Sequence, residues 1–137
     1  MSEPFIDTDV IIRLLTGDDV EKQIKAKALF LQVEAGRLKI SAPVTVIADA
    51  VYVLSSPRLY SLPRADISEL LTILVGLPNF NVSDKRSVLN ALNIYSNTNV
   101  DFGDAFIAAA MLQDGSDVLY SYDKDFDRIA EIRRIEP

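Results

Sequence analysis

The chain contains no cysteine and no histidine. The first absence excludes disulfides, thiolate nucleophiles and zinc–cysteine sites. The second removes the commonest general base and the commonest transition-metal ligand. Any chemistry must be carried by Asp, Glu, Lys, Arg, Ser, Thr or Tyr. A metal, if one is used, would be held by oxygen alone, which selects hard ions such as Mg²⁺ or Mn²⁺. No run of about 18 uncharged apolar residues occurs, so no membrane span is expected. The opening Met1-Ser2-Glu3-Pro4 lacks the basic start and apolar stretch of a signal peptide, and a cytoplasmic location is expected. Low-complexity tracts, internal repeats and linkers are missing as well.

What is present suits one globular domain over residues 1–137, at 49% apolar and 25% charged. The net charge of −6, from 14 basic and 20 acidic residues, argues against broad non-specific binding to nucleic acid. That objection weakens if several acids are gathered around a cation.

Residues 3–7 read as a short strand ending at Asp7, and 8–15 as a helix stopped by Thr16-Gly17. Asp18 and Asp19 are N-cap candidates for a helix over 19–35, with Ile24, Ala28, Phe30, Leu31 and Ala35 as its apolar face and Gly36 just past its end. A strand is expected at 38–41, a dense apolar helix at 44–55, a helix over 64–76 with Pro63 in its first turn, and a strand at 80–82. Asp84 can cap a helix over 85–96, and Gly115 closes another over 102–114. The strand 117–123 ends at Asp123; a turn or two of helix and an edge strand at 131–136 follow. Strands alternating with helices predict an α/β fold with a mainly parallel sheet and helices on both faces. Such sheets bind ligands at the carboxyl ends of their strands.

Most of the acids read as solvated faces or helix caps. Four do not reduce to that so easily. Asp7 and Asp123 each follow a strand; either could simply cap what comes next, yet two parallel strands ending in Asp would bring two carboxylates to one rim. Asp49 lies within Val44–Leu54, a helix with no plainly polar face. It is expected to be partly buried, where an unpaired carboxylate costs several kcal/mol, on the order of the penalty for any buried charge. Asp104 follows Asp101 at i, i+3, so both can share one helical face. Asp101 alone is explained as an N-cap. Converging carboxylates raise one another's pKa, and a divalent cation relieves that conflict. Such a cation can bind a phosphate oxygen and lower the pKa of a bound water.

Four segments together resemble the PIN-domain ribonucleases, specifically the VapC-like toxins of prokaryotic toxin–antitoxin pairs. FIDTDVIIRLL resembles the opening strand with the first acid, Asp7, and PVTVIADAVYVL resembles the second acidic motif, with Asp49 in its slot. VDFGDAFIAAA is similar to the third, with Asp104 as main acid and Asp101 as accessory. VLYSYDKDFDRI resembles the closing motif, with Asp123 as fourth acid, Ser121 as a supporting hydroxyl and Phe126 as a packing residue. The resemblance covers essentially the whole chain. It implies an α/β/α sandwich and Mg²⁺- or Mn²⁺-dependent endonucleolytic cleavage of RNA. Asp7, Asp49, Asp104 and Asp123 would hold metal and position water, with Thr8 in support. It also implies a cognate antitoxin and a homodimer. Two positions depart from the family. The second acidic slot, usually Glu, is Asp49, one methylene shorter, so its contact with metal could run through water. Asp9 stands where the family often has a polar amide.

Arg13, Arg58, Arg64, Lys85, Arg86 and Lys124 could line an RNA path, although each also reads as an ordinary surface charge. Two other readings fit parts of the chain. A PIN-like fold that has lost catalysis could serve as a binding module, and the Asp49 replacement is the feature in its favour. Asp7-Thr8-Asp9 also resembles the nucleophile motif of haloacid-dehalogenase-type phosphatases, with Asp7 as covalent nucleophile. There, however, Ile11 stands where Thr is expected, and the chain is short for that fold.

Overall fold

The structure, a computed structural model, describes residues 3–137; Met1 and Ser2, part of the N-terminal stretch considered above, lie outside the described residues. The described residues form six α-helices, α1 (Thr8–Leu15), α2 (Val20–Glu34), α3 (Val44–Ser55), α4 (Arg64–Val75), α5 (Lys85–Asn97) and α6 (Phe102–Asp114), and four strands, β1 (Ile40–Ala42), β2 (Phe80–Val82), β3 (Val118–Tyr120) and β4 (Arg133–Ile135). A 3₁₀ helix spans Lys124–Arg128. The chain divides into two compact units, one ending at Lys85 and the other Arg86–Pro137.

In the first unit β1 and β2 pair in parallel, Ile40 opposite Phe80 and Ala42 opposite Val82. The segment expected as a strand at 3–7 contributes a single parallel bridge, Phe5 to Ser41. The Ser41 N–H donates to Pro4 O at 2.9 Å and the Ile6 N–H to Ser41 O at 3.0 Å. Alternation along the pleat buries Ile40, Ala42, Phe80 and Val82 and turns Ser41 and Asn81 the other way. On that second face the Glu3 carboxylate accepts from Ser41 Oγ at 2.9 Å and from Asn81 Nδ2 at 2.6 Å. Those bonds, Asn81's first, hold the Glu3 carboxyl below its ordinary value.

The helices of this unit start and stop as their sequences dictate. Asp7 caps α1 by accepting the Val10 N–H, and Asp19 caps α2 by accepting the Lys22 N–H. At the other end of α2 the Gly36 N–H bonds to Val33 O and the Arg37 N–H to Gln32 O, the paired closure that requires a left-handed residue; Gly36 supplies it with φ 76°. Pro63 sits at the N-cap of α4 rather than within its first turn. Asp84 is no side-chain cap of the ordinary extended kind, since its φ is 53°.

The buried face of α2 differs from the expected one. Ala26, Phe30 and Val33 are buried, whereas Ile24 and Leu31 are 63% and 64% exposed. At 3.6 residues per turn, Ile24, Ala28, Leu31 and Ala35 form a stripe opposite Ala26–Phe30–Val33. The helix carries two apolar stripes, and packing selects the one that meets the sheet, where Phe30 lies edge-to-face on Phe80 at 5.8 Å.

In the second unit β3 and β4 pair in parallel, Val118 opposite Arg133 and Tyr120 opposite Ile135. β3 ends three residues short of Asp123 and is shorter than the strand expected at 117–123. Ala105, Ala108 and Ala109 on α6 are fully buried; their small side chains let the helix approach its neighbours closely. Arg134 fastens β4 to the segments around it. Its guanidinium grips both oxygens of Asp127 at 3.0 and 3.2 Å and also donates to Ser121 O and Glu136. Short parallel strands alternating with helices are the α/β class expected from the sequence.

Gly36→Ala is expected to lower stability by about 1 kcal/mol, because alanine must enter the left-handed region. Gly17→Ala, with no atom within 4 Å of the added Cβ and no left-handed φ, should stay within about 0.5 kcal/mol of the wild type. Urea midpoints of the two variants compare them; equal losses would contradict this account of the α2 terminus.

Candidate metal centre

Three of the acids singled out by the sequence, Asp7, Asp101 and Asp123, do act as helix caps. Asp7 accepts the Val10 N–H at 3.3 Å, Asp101 the Asp104 N–H at 2.8 Å, and Asp123 the Asp125 N–H at 2.9 Å. Capping occupies one carboxylate oxygen and leaves lone pairs for another ligand. Asp7 and Asp49 lie in the first unit; Asp101, Asp104, Asp123 and Asp125 lie in the second.

Within the second unit three carboxylates converge. Asp104, Asp123 and Asp125 each offer an oxygen within 4.8 Å of the others. Asp104 projects from the first turn of α6, whose start is fixed by the Asp101 cap. Asp123 opens the 3₁₀ helix, and its own N–H donates to Ser121 Oγ at 3.0 Å. That tight turn brings Asp125 beside Asp123, and Phe126, 4% exposed, anchors it in the interior. Asp101 stands outside the trio and acts on Asp104 through its cap and its charge.

The electrostatics follow from the crowding. Burial and then the charges of Asp101, Asp123 and Asp125 push the Asp104 carboxyl up to about 6. Such a site disfavours its own ionised state until a cation arrives. The donor set fits one: all oxygen, from three carboxylates, the ligands that hard cations such as Mg²⁺ prefer. One local competitor exists. Arg128 Nη1 lies 3.2 Å from Asp125 Oδ1, but both side chains are 48% exposed, and such surface pairs contribute at most about 1 kcal/mol.

Asp125 was absent from the sequence reading. The signal that could have found it is the Asp123-x-Asp125 spacing followed by a helical turn. Asp49 needs the opposite correction, since it is exposed rather than partly buried. Ile47, Ala50, Val51 and Leu54 take the inner face of α3, and Thr45, Asp49 and Tyr52, at i, i+4 and i+7, form an outer stripe. The apolar density of the helix concealed that stripe, and burial gives no reason for an acid there. Thr8 is the half-buried first residue of α1. Among the basic candidates, Arg13 is engaged by Asp9 and Asp18, each at 3.4 Å. Lys85 donates to Leu77 O at 2.9 Å, and burial lowers its pKa.

The raised Asp104 pKa sets the sign of a pH effect. The folded state binds this proton more tightly than the unfolded chain does. Its contribution is fully present below about pH 4 and is lost as pH rises toward about 6. Glu3, Asp18 and Asp127 are shifted downward, so their contributions are complete above about pH 5 and are lost only as pH falls below that. In EDTA, stability is expected to fall between pH 4.5 and 7, and Asp104→Asn should flatten that fall. Urea midpoints across the window check it; an unchanged slope in the variant would contradict the crowding.

Comparison with known proteins gives these acids a setting. The model of the PIN domain family matches residues 5–132, a span that contains Asp7, Asp49, Asp101, Asp104, Asp123 and Asp125. The VapC ribonuclease of Aquifex aeolicus (strain VF5) is 26% identical over 124 residues, covering 90% of each chain. The match leaves the dehalogenase-type reading of Asp7-Thr8-Asp9 without support. Parallel strands alternating with helices and a family match along nearly the whole chain agree: this chain belongs to the PIN domain family and has its α/β layered fold.

Proposed function

We propose that the chain is a Mg²⁺- or Mn²⁺-dependent endoribonuclease and the toxin of a toxin–antitoxin pair. The observation that carries this is the Asp104–Asp123–Asp125 convergence in a chain of the PIN domain family. The name of the Aquifex relative, VapC ribonuclease, supports RNA as substrate. One family model runs across both compact units, which supports treating residues 1–137 as a single functional domain. In this reading Asp7 and Asp49 are further metal-binding acids, Asp49 through water if its shorter side chain falls short.

Asp104, Asp123 and Asp125 would hold the ion, which when bound supplies a polarised phosphodiester oxygen and an acidified water. Asp104, raised to about 6 in the empty site, would serve as an ionised ligand in the loaded one. Ser121 fixes the backbone of Asp123, Asp101 fixes the first turn beneath Asp104, and Thr8 supports the start of α1 beside Asp7. The protein's own contribution is therefore placement of charge before the substrate arrives. A cognate antitoxin, a homodimer and a cytoplasmic location complete the proposal. No helix of the described residues is long and apolar enough to cross a membrane.

Purified protein is expected to cleave labelled RNA with Mn²⁺ or Mg²⁺ and not in EDTA. Asp7→Asn and Asp104→Asn should each lose on the order of a hundredfold or more while remaining folded by circular dichroism. Metal-independent cleavage, or cleavage equal in these variants, would reject the mechanism. Mn²⁺ binding without cleavage of any RNA would favour the binding-module reading, for which the Asp49 replacement speaks. Asp125→Asn should weaken Mn²⁺ binding about tenfold, by the loss of one charged ligand; unchanged affinity would remove Asp125 from the site.

A further inference from the structure

Two exposed tyrosines closely precede Asp123 of the acidic trio in the chain. Tyr120 closes β3 and is 69% exposed; Tyr122, directly before Asp123, is 71% exposed. Large aromatic rings bury well, and folding gains little from leaving these two in water. The Tyr122 hydroxyl reaches Pro137 O at 3.4 Å, a contact at the edge of the ring that leaves its faces uncommitted. Tyr122 is bonded directly to Asp123, with the two Cα atoms about 3.8 Å apart across the trans peptide.

Two nearby arginines are committed to carboxylates, and exposed Lys124 stands between Asp123 and Asp125 in the chain. Arg128 is paired with Asp125 and donates to Asn99 O at 2.6 Å, and Arg134 is paired with Asp127 and Glu136. The whole chain carries a net charge of −6. One exposed lysine among three carboxylates is a small basic surface, so a nucleic acid held at this place needs a further source of affinity. Stacking of bases on aromatic rings is such a source. It is indifferent to net charge, tolerates any base, and is worth roughly 5- to 150-fold in affinity per base.

We propose that Tyr122, with Tyr120 beside it, is a stacking platform for an unpaired base of single-stranded RNA next to the Asp104–Asp123–Asp125 site. This rests on the ribonuclease reading for its substrate but not on catalysis. The platform would hold a base flanking the phosphodiester presented to the carboxylates. It selects unpaired RNA, because a base within a duplex has no free face to offer.

The test is binding of a fluorescently labelled single-stranded RNA to the full chain in EDTA, where no metal-dependent cleavage occurs. A matched oligonucleotide carrying abasic residues is measured in parallel. Tyr122→Ala is expected to weaken binding of the intact RNA about tenfold, and Tyr122→Phe to restore it to within about twofold. The abasic RNA should bind wild type and Tyr122→Ala alike. Affinity should fall with salt no more steeply than about −1.5 on a log–log plot, the slope for one or two phosphate contacts. Mn²⁺ affinity of Tyr122→Ala should match the wild type, which separates this role from ligand placement.

Equal affinity of wild type and Tyr122→Ala for the intact RNA would overturn the platform, as would a wild type that binds abasic and intact RNA equally. Loss of self-association in Tyr122→Ala by sedimentation, with RNA affinity unchanged, would assign the tyrosines to a contact between copies instead. Tyr122-dependent binding without cleavage in Mn²⁺ would retain the platform and reject the nuclease. Cleavage unaffected by Tyr122→Ala would do the reverse, and a wild type that neither binds nor cleaves RNA would reject both.

Discussion

Carboxylates repel one another, and the region around Asp104 forces several of them together. Asp104 is half-buried in the first turn of α6, with Asp101 capping that turn and Asp123 and Asp125 facing it from the 3₁₀ helix. Arg128 touches Asp125 from solvent, where an ion pair relieves little of that repulsion. Such an arrangement is stable only because its parts are fixed by other means: the Asp101 cap, the Ser121 bond to the Asp123 backbone, the buried Phe126 and the Arg134 clamp on Asp127. Burial and like charge raise the Asp104 carboxyl to about 6, disfavouring its ionised form. Entry of a divalent ion would reverse that preference, so the same residues that destabilise the empty centre would bind the ion well.

The capping aspartates show how structural and chemical roles coexist in one side chain. Asp7, Asp101 and Asp123 each accept a backbone N–H at the start of a helix. A cap fixes the carboxylate's position relative to the helix axis, which is also what a metal ligand requires. A structural reading and a ligand reading of these residues are therefore not exclusive. Asp19 makes the same kind of cap and lies outside the matching motifs, so capping alone does not mark a functional acid.

Much of this was legible in the chain. The bounds of α1, α3 and α6 follow from sharp local signals: an Asp or Pro before the helix, and Thr16-Gly17, Ser56-Pro57 or Gly115 after it. The parallel pairing followed from strands alternating with helices, and Asp104 and Asp123 were singled out by position and spacing. What escaped depended on tertiary choice. Periodicity could not decide between the two opposite apolar stripes of α2, because only the sheet beneath it does so. The exposure of Asp49 was hidden by the apolar residues around it, although Thr45 and Tyr52 mark the outer face at helical spacing. Asp125 joins the trio through a tight turn whose closure no periodic pattern announces. Arg13 read as a free surface charge until Asp9 and Asp18 were placed beside it.

The claim on which the rest stands is that these aspartates form a cation site, and Mn²⁺ binding tests it most directly. Titration of the metal-free protein at pH 7, followed by the loss of the free-ion electron paramagnetic resonance signal, reports occupancy without any substrate. The account predicts saturable binding by the wild type that collapses in Asp123→Asn while the fold persists. Binding absent in the wild type, or retained unchanged in that variant, would contradict it.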